Sequence, residues 1–157
     1  MPQHAERRFM PYSSDQMFDL VAEVECYPEF LPWCLGTRVT RREAGEPGIV
    51  EADMLIGFMM LRERFGSRMQ LHRDEHRIEV NHTHGPFHYM VNRWRFRERT
   101  DGCEVDFFVD FEFRSRLLRR VMSALFADAV DRMVRAFEVR ARQLYGTPAA
   151  GAAGAAG

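Results

Sequence analysis

Two apolar patterns near the end of the chain predict the elements around which the rest must pack. Between residues 105 and 113, apolar side chains alternate with Asp106, Asp110 and Glu112, the period of a half-buried strand. Between residues 115 and 145, apolar side chains recur at steps of three and four, which predicts one face of a long α-helix. That face comprises Leu118, Met122, Leu125, Phe126, Ala129, Met133, Phe137, Ala141 and Leu144. It is wider than one packed seam needs, so either protein or a bound molecule must cover it.

Turn sequences divide the preceding part of the chain into further strands. Turns rich in Gly, Pro and Asp at 44–48, 85–86 and 100–102 separate segments of alternating polarity. Strands are predicted over residues 6–10, 35–42, 49–58, 61–71, 77–84, 87–99 and 103–114. Ser13 or Ser14 would cap a helix after the first strand, and Pro28 and Pro32 bound a second short helix or turn. Bends or bulges are expected at Gly57 and Gly66.

This order predicts an α+β fold. Seven strands joined by short turns form a curved antiparallel meander with one apolar face, and the C-terminal helix is the element long enough to cover it. At this length the chain is expected to hold one domain, over residues 1–146. Residues 147–157 are rich in Ala and Gly and are expected to be disordered.

Composition narrows the classes of function. The chain is 46% hydrophobic, and all 22 of its Lys and Arg positions are Arg. Its formal net charge is −1, and a charge so close to neutral gives no support for DNA binding. Cys26, Cys34 and Cys103 lack the spacing of a metal site and are expected to be free thiols in a reducing compartment. Since neither a signal peptide nor a membrane-spanning run is found, a cytoplasmic protein is expected, with peripheral contact at the inner face of the cell membrane left open.

Three motifs carry a resemblance to a known family. Residues 27–34 read YPEFLPWC, residues 85–87 read GPF ahead of Trp94, Arg95 and Phe96, and the alternating strand follows at 105–113. From about residue 7 to residue 146 the chain resembles the coenzyme-Q-binding START-domain family, whose bacterial members include polyketide cyclase/dehydrase-like proteins and ribosome-association toxins. The resemblance implies a helix-grip fold with an apolar cavity between the sheet and the C-terminal helix. It also implies binding of a polyprenyl quinone such as ubiquinone in support of respiration, with no covalently bound cofactor.

The residues expected to line such a cavity are mostly aromatic or methionine. Met packs against irregular shapes at little cost, which suits a flexible isoprenoid tail. An ordinary packed core is the alternative explanation for the same pattern. The candidate lining residues are Phe30, Leu31, Trp33, Met54, Phe58, Phe65, Met69, Met90, Trp94, Phe107, Phe111, Phe113, Met122, Phe126, Val130 and Met133. The first three would form one wall or gate of the opening.

Several polar residues share the alternation of the apolar positions. Glu63, His82 and Asn92 are candidates to contact a quinone head group, since a buried polar group needs a partner; His84 and His88 fall on the same faces. Pairing among themselves or contact with solvent is the alternative. A metal site at the histidines is disfavoured because no carboxylate or cysteine is near in sequence. No catalytic motif is found, so an enzyme is not expected.

Arginines dominate the outer face of the predicted C-terminal helix. Arg116, Arg120 and Arg135 are candidates for contact with anionic lipid or ribosomal RNA, or they only keep the surface solvated. The leading hypothesis is a non-enzymatic carrier or chaperone of a polyprenyl quinone or similar lipid. The alternatives are a toxin-like protein that associates with ribosomes and an aromatase/cyclase-like enzyme that uses Glu63 with a histidine.

Overall fold

A computed structural model describes residues 3–58 and 60–146, except for the side chain of Phe58. Its elements confirm the α+β class, the seven strands and the long C-terminal helix. The strands are β1 (Gln3–Met10), β2 (Cys34–Glu43), β3 (Gly48–Phe58), β4 (Leu61–His72), β5 (Arg77–His84), β6 (Phe87–Arg99) and β7 (Gly102–Phe113). The α-helices are α1 (Ser14–Ala22) and α2 (Arg116–Tyr145), and short 3-10 helices occupy Val24–Glu29 and Arg73–Glu75.

The strands form one antiparallel sheet with the order β1-β7-β6-β5-β4-β3-β2. Strands β2 to β7 each pair with their neighbours in sequence, whereas β1 crosses the sheet to pair with β7. The two short helices in this crossover lie between β1 and β2 in the chain. With α2 against the apolar face of the sheet, this is the helix-grip, START-like architecture that the resemblance implied.

The first helices are fixed by local hydrogen bonds and by one buried aromatic contact. Ser13 caps α1 in a capping box with Gln16, and the fully buried Phe18 ring lies 6.1 Å from the ring of Phe96. The second short helix begins earlier than predicted, at Val24 instead of Pro28. It ends where the amides of two following residues both bond the carbonyl of Tyr27, which turns the chain towards β2.

Two bulges alter which side chains face the cavity. The β4–β5 register shifts between Gly66 and Ser67, as expected at Gly66, and the β6–β7 register shifts between Phe87 and Tyr89. Each bulge adds one residue and reverses the alternation beyond it. His84 and His88 therefore turn to the outside. No register shift occurs at Gly57 in the β3–β4 pairing, so the predicted bulge is not found between these two strands, and the bend predicted as its alternative stays a prediction.

Helix α2 is held more firmly at its C-terminal half than at its N-terminal half. It starts with Ser115 as N-cap, and its buried residues are Leu118, Val130, Phe137 and Ala141. No residue between Leu118 and Val130 is fully buried, so this stretch stands off the sheet over open space.

The helices and the C-terminal residues bear on two further predictions. No helix in residues 3–58 and 60–146 is long and apolar enough to cross a membrane. The disordered tail predicted for residues 147–157 lies outside the described part of the chain, so that assignment and the domain limit at 146 stay predictions.

Candidate ligand-binding cavity

The stretch of α2 that stands off the sheet covers an apolar cavity of about 250 Å³. Alternating positions on β3, β4, β6 and β7 supply one wall, and one face of α2 supplies the other. From the predicted set the sheet contributes Met54, Phe65, Met69, Met90, Trp94, Phe107, Phe111 and Phe113, and α2 contributes Met122, Phe126, Val130 and Met133. The alternating apolar face of the sheet and the apolar stripe of α2 thus lie on opposite sides of one space. This explains why the stripe is wider than a packed seam needs.

Aromatic rings make the sheet side of the cavity rigid. The ring of Phe87 lies 5.3 Å from that of Phe65 and 5.0 Å from that of Phe113, and the ring of Trp94 lies 4.7 Å from that of Phe107. Such contacts add to the stabilisation from burial and restrict ring motion. Opposite them, Met122 and Met133 are unbranched and only half-buried. The cavity therefore has a preformed aromatic wall and an adaptable wall on the helix.

The YPEFLPWC segment closes one end of the cavity, but not with all the predicted residues. Leu31 and Trp33 line it, whereas Phe30 lies outside the lining. The Phe30 ring packs 5.2 Å from that of Phe137 and lies 5.2 Å below the guanidinium of Arg140. Arg140 also bonds Glu29 at 2.8 Å. The side chain of Phe30 therefore packs against α2 and holds the segment there, because the preceding 3-10 helix directs this side chain towards α2.

Asn92 lines the cavity and positions the neighbouring indole. Its Oδ1 accepts a hydrogen bond from Nε1 of Trp94 at 2.9 Å, and its Nδ2 donates to the carbonyl of Phe108 at 2.9 Å. One of its two N–H groups remains available to a ligand. The side chain therefore orients Trp94 first and is only partly available as a head-group donor.

Glu63 is the carboxylate in the cavity lining. The side chain is half-buried, and among the described residues it makes no side-chain hydrogen bond or ion pair. It stands on β4 opposite Ile56, near the end of the β3–β4 hairpin. A ligand in the cavity would therefore meet one acidic group, at the hairpin end.

His82 does not line the cavity, in contrast to the prediction. It stands opposite Ser67, its ring lies edge-on to Phe87 at 5.8 Å, and its buried Nδ1 has no partner among the described residues. Phe87, which this imidazole contacts, itself lines the cavity. On the outer face, Nε2 of His84 contacts Oδ1 of Asp53 at 3.1 Å. Among the described residues Glu63 pairs with neither histidine, so the alternative in which these polar groups pair with one another does not hold for Glu63.

The cluster closest in composition to a catalytic triad lies away from the cavity, at the start of α1. Nε2 of His76 lies 2.9 Å from Oδ1 of Asp15 and 3.5 Å from Oγ of Ser14. The same nitrogen faces both partners, and the Ser14 hydroxyl donates to Glu98 instead. A relay needs the two ring nitrogens to contact different groups, so this cluster ties α1 to the sheet and does not form a nucleophile.

The buried thiols are likewise unreactive. Burial raises the pKa of the Cys34 thiol to about 11 and that of Cys103 to about 12. Both remain protonated near neutral pH, and nucleophilic chemistry needs the thiolate. All three cysteines are free, as expected.

The structure adds lining residues that the sequence interpretation had not selected. Val109 and Phe137 already stood in the predicted strand and helix patterns, and Val80 and Phe87 follow from the strands on either side of the β5–β6 turn. Tyr27 belongs to the YPEFLPWC motif. The added residues are Val24, Tyr27, Gly57, Leu61, Ser67, Val80, Phe87, Val109, Val121, Ala129 and Phe137; Ile56 and Leu118 also line the cavity, on the faces that the strand and helix patterns predict. The side chain of Phe58, also predicted to line the cavity, lies outside the described part of the chain.

The three surface arginines differ in their surroundings. Arg135 pairs with Asp131 on the next turn at 3.2 Å. Arg116 and Arg120 are exposed and have no ion pair within the described residues. Of the predicted contact residues, only these two offer an uncompensated positive charge.

Comparison with protein families identifies one model that covers most of the chain. A model described as "Polyketide cyclase / dehydrase and lipid transport" matches residues 10–138. Among curated proteins, the chain is 34% identical over 146 residues to "Ribosome association toxin RatA" of Escherichia coli K12, covering 92% of this chain and 90% of the relative. It is also 33% identical over 149 residues to "Coenzyme Q-binding protein COQ10 homolog B, mitochondrial" of Xenopus laevis, covering 92% of this chain and 59% of that protein.

A solved structure supports the fold. The 18 kDa protein CC1736 of Caulobacter crescentus superposes with a TM-score of 0.77 at 36% identity, covering 94% of this chain and all of that one. The names of the two curated relatives describe a binding protein and a toxin, neither of them an enzyme.

Proposed function

Because the chain belongs to the polyketide cyclase/dehydrase and lipid-transport family, we propose that its cavity binds a polyprenyl quinone of the ubiquinone type. The observation that carries this proposal is the apolar cavity between a rigid aromatic sheet face and a loosely covered half of α2. The relative named as a coenzyme-Q-binding protein supports the choice of ligand. In this proposal the protein is a cytoplasmic carrier or chaperone that serves respiratory electron transport.

The size of the cavity limits how much of such a ligand lies inside. A cavity of about 150 Å³ accommodates benzene, so 250 Å³ holds about one substituted ring or the first isoprene units. A long isoprenoid tail exceeds this volume. The rest of the molecule would therefore extend through the opening of the cavity, unless α2 moves outwards.

The polar groups of the lining favour one oxidation state. A carboxylate accepts hydrogen bonds and donates none, so Glu63 suits the hydroxyl of a reduced quinol better than the carbonyl of a quinone. The remaining N–H of Asn92 suits either form, because both hydroxyl and carbonyl oxygens accept. We therefore expect tighter binding of the quinol than of the quinone.

The two tryptophans of the chain, Trp33 and Trp94, both line the cavity and provide the assay. Titration with a short-chain ubiquinone is expected to quench their fluorescence to saturation. Lipids extracted from protein purified from a quinone-producing host are expected to include the host's quinone by mass spectrometry. Absence of any lipid in the extract, together with no saturable quenching, would refute the proposed function.

A ribosome-associated function is the second candidate. The relative named for ribosome association aligns over a larger share of its own length than the coenzyme-Q-binding relative does, 90% against 59%. Sucrose-gradient sedimentation of a cell lysate at low salt tests it. Absence of the protein from the ribosomal fractions removes this candidate.

Cyclase chemistry has weaker support. It would rely on Glu63 as a lone acid or base, since neither His82 nor His84 lines the cavity. An enzyme predicts that Glu63→Gln abolishes turnover of a candidate polyketide while binding persists. A carrier predicts that this variant changes only the preference between quinol and quinone.

A further inference from the structure

The most exposed apolar side chains of the described residues lie beside the cavity. Met60, at the tip of the β3–β4 hairpin, is 95% exposed, and Leu117, in the first turn of α2, is 62% exposed. Their neighbours Leu61 and Leu118 both line the cavity. Two separate elements thus place an exposed aliphatic side chain next to the same apolar space.

The same two elements carry uncompensated positive charge. Thirteen of the 22 arginines have a carboxylate within ion-pair distance among the described residues. Arg62 and Arg64 on the hairpin and Arg116 and Arg120 on α2 are exposed and belong to the remainder. Glu63 points into the cavity lining and does not neutralise them. We call Met60, Arg62, Arg64, Arg116, Leu117 and Arg120 the basic rim.

Both elements also contribute half-buried side chains to the cavity lining. The cavity is partly open to solvent. Its half-buried lining residues include Gly57, Leu61 and Glu63 on the hairpin side and Val121 and Met122 on the helix side. An apolar molecule that enters or leaves between hairpin and helix would pass the basic rim.

From this combination we infer that the basic rim docks on the surface of an anionic phospholipid bilayer. Arginines are attracted to anionic head groups, and exposed aliphatic side chains gain free energy on entering the acyl region. An RNA backbone would attract the arginines but offers nothing to Met60 and Leu117, which favours the bilayer. Docking would hold the cavity opening against the membrane, so that an apolar ligand transfers without crossing water.

The transfer of an apolar ligand between bilayer and cavity rests on the proposed function, but docking itself is tested without any quinone. Co-sedimentation is measured with vesicles of phosphatidylcholine alone and of phosphatidylcholine with phosphatidylserine. Binding is expected only to the anionic vesicles and is expected to weaken as salt is raised. The double variant Arg62→Gln/Arg64→Gln is expected to bind about 25-fold more weakly, at about five-fold per arginine, and Met60→Asp is also expected to weaken binding.

The matched control is Arg132→Gln/Arg135→Gln, which makes the same change of charge at two arginines of α2 paired with Asp128 and Asp131. It is expected to retain most of the vesicle binding. No binding of the unmodified protein, or equal losses in the two double variants, would overturn the inference. Binding to ribosomal RNA but not to vesicles, lost in the rim variant, would overturn it in favour of a nucleic-acid partner.

Quinone titration of the same variants separates the two proposals. Because the rim residues lie outside the cavity lining, Arg62→Gln/Arg64→Gln is expected to retain fluorescence quenching by short-chain ubiquinone. Quenching without vesicle binding would refute membrane docking alone. Vesicle binding without quenching would refute the quinone proposal alone.

Discussion

Replacing Ala129 with phenylalanine tests directly whether the space between sheet and helix is empty and whether a ligand uses it. Ala129 lies on α2, half-buried, with its side chain in the cavity lining. In an ordinary packed core the added ring would clash with its neighbours and destabilise the protein. In a cavity it has room. The sign of the stability change therefore separates the two explanations that the apolar pattern left open.

The magnitude follows from the volume. A phenyl ring takes about the 150 Å³ that accommodates benzene, which leaves about 100 Å³ of the 250 Å³ cavity. Empty cavity volume costs about 24 cal/mol per Å³, so filling that volume recovers at most about 3.6 kcal/mol. Imperfect fit and restricted rotamers reduce this to about 1–2 kcal/mol. At the size of this chain the Tm is then expected to rise by about 2–8 °C.

The assay combines thermal unfolding of the ligand-free protein with the tryptophan titration. Ala129→Phe is expected to raise the Tm and to weaken quinone binding at least ten-fold, because the remaining volume no longer holds a substituted ring. Ala127→Phe is the matched control, since Ala127 is exposed on the opposite side of the same turn. A lower Tm for Ala129→Phe would refute the cavity, and unchanged quinone affinity would refute its role as the binding site.

Two further predictions concern polar contacts. Asn92→Leu removes the partners of the Trp94 indole N–H and the Phe108 carbonyl. At about 1–3 kcal/mol for each of these two unpaired groups, urea unfolding should show a loss of about 2–6 kcal/mol. Hydrogen bonds from Ser14 lower the pKa of Glu98 below its ordinary value of 4.5. The ionised Glu98 therefore stabilises the fold fully at pH values above 4.5, and this contribution is lost as the pH falls through the lowered pKa. Glu98→Gln should therefore flatten the acid limb of the stability profile.

Each of these predictions has its own control. Asn81→Leu is the same type of substitution at an exposed position of β5 and should change the free energy of unfolding little. Equal losses of stability in Asn81→Leu and Asn92→Leu would show that the hydrogen bonds of Asn92 do not contribute. For the second, an unchanged acid limb in Glu98→Gln would show that the Ser14 contact does not contribute to acid stability.

The strand and helix patterns were sufficient to predict most of the fold. Alternation along β7 and the apolar stripe of α2 predicted the sheet and helix faces that meet across the cavity, since both patterns depend only on local backbone geometry. The resemblance carried by the YPEFLPWC segment then implied a cavity where periodicity alone allowed a packed core. The serine cap of α1 also followed from local chemistry.

The predictions that failed depended on bulges and long-range contacts. Alternation along β5 places His84 on the same face as His82, but Thr83 between them is the extra residue opposite the Gly66–Ser67 step, so His84 faces the other way. Phe30 was assigned to the cavity because nothing local shows that Arg140, 110 positions later, lies over its ring. His82 stays on the inner side of the sheet and contacts the ring of Phe87, but Phe87 lines the cavity and His82 does not.

The order of the elements and the apolar face of each can be predicted from local sequence patterns, because side-chain direction follows from the backbone repeat of each element. The packing of the whole chain sets the gap between the stripe on α2 and the sheet, since the volume between two faces depends on every side chain that meets there. It also decided that Arg135 is paired with Asp131 while Arg116 and Arg120 are unpaired within the described residues. Pairing between charges depends on rotamers and on approach between elements, which no periodic pattern encodes.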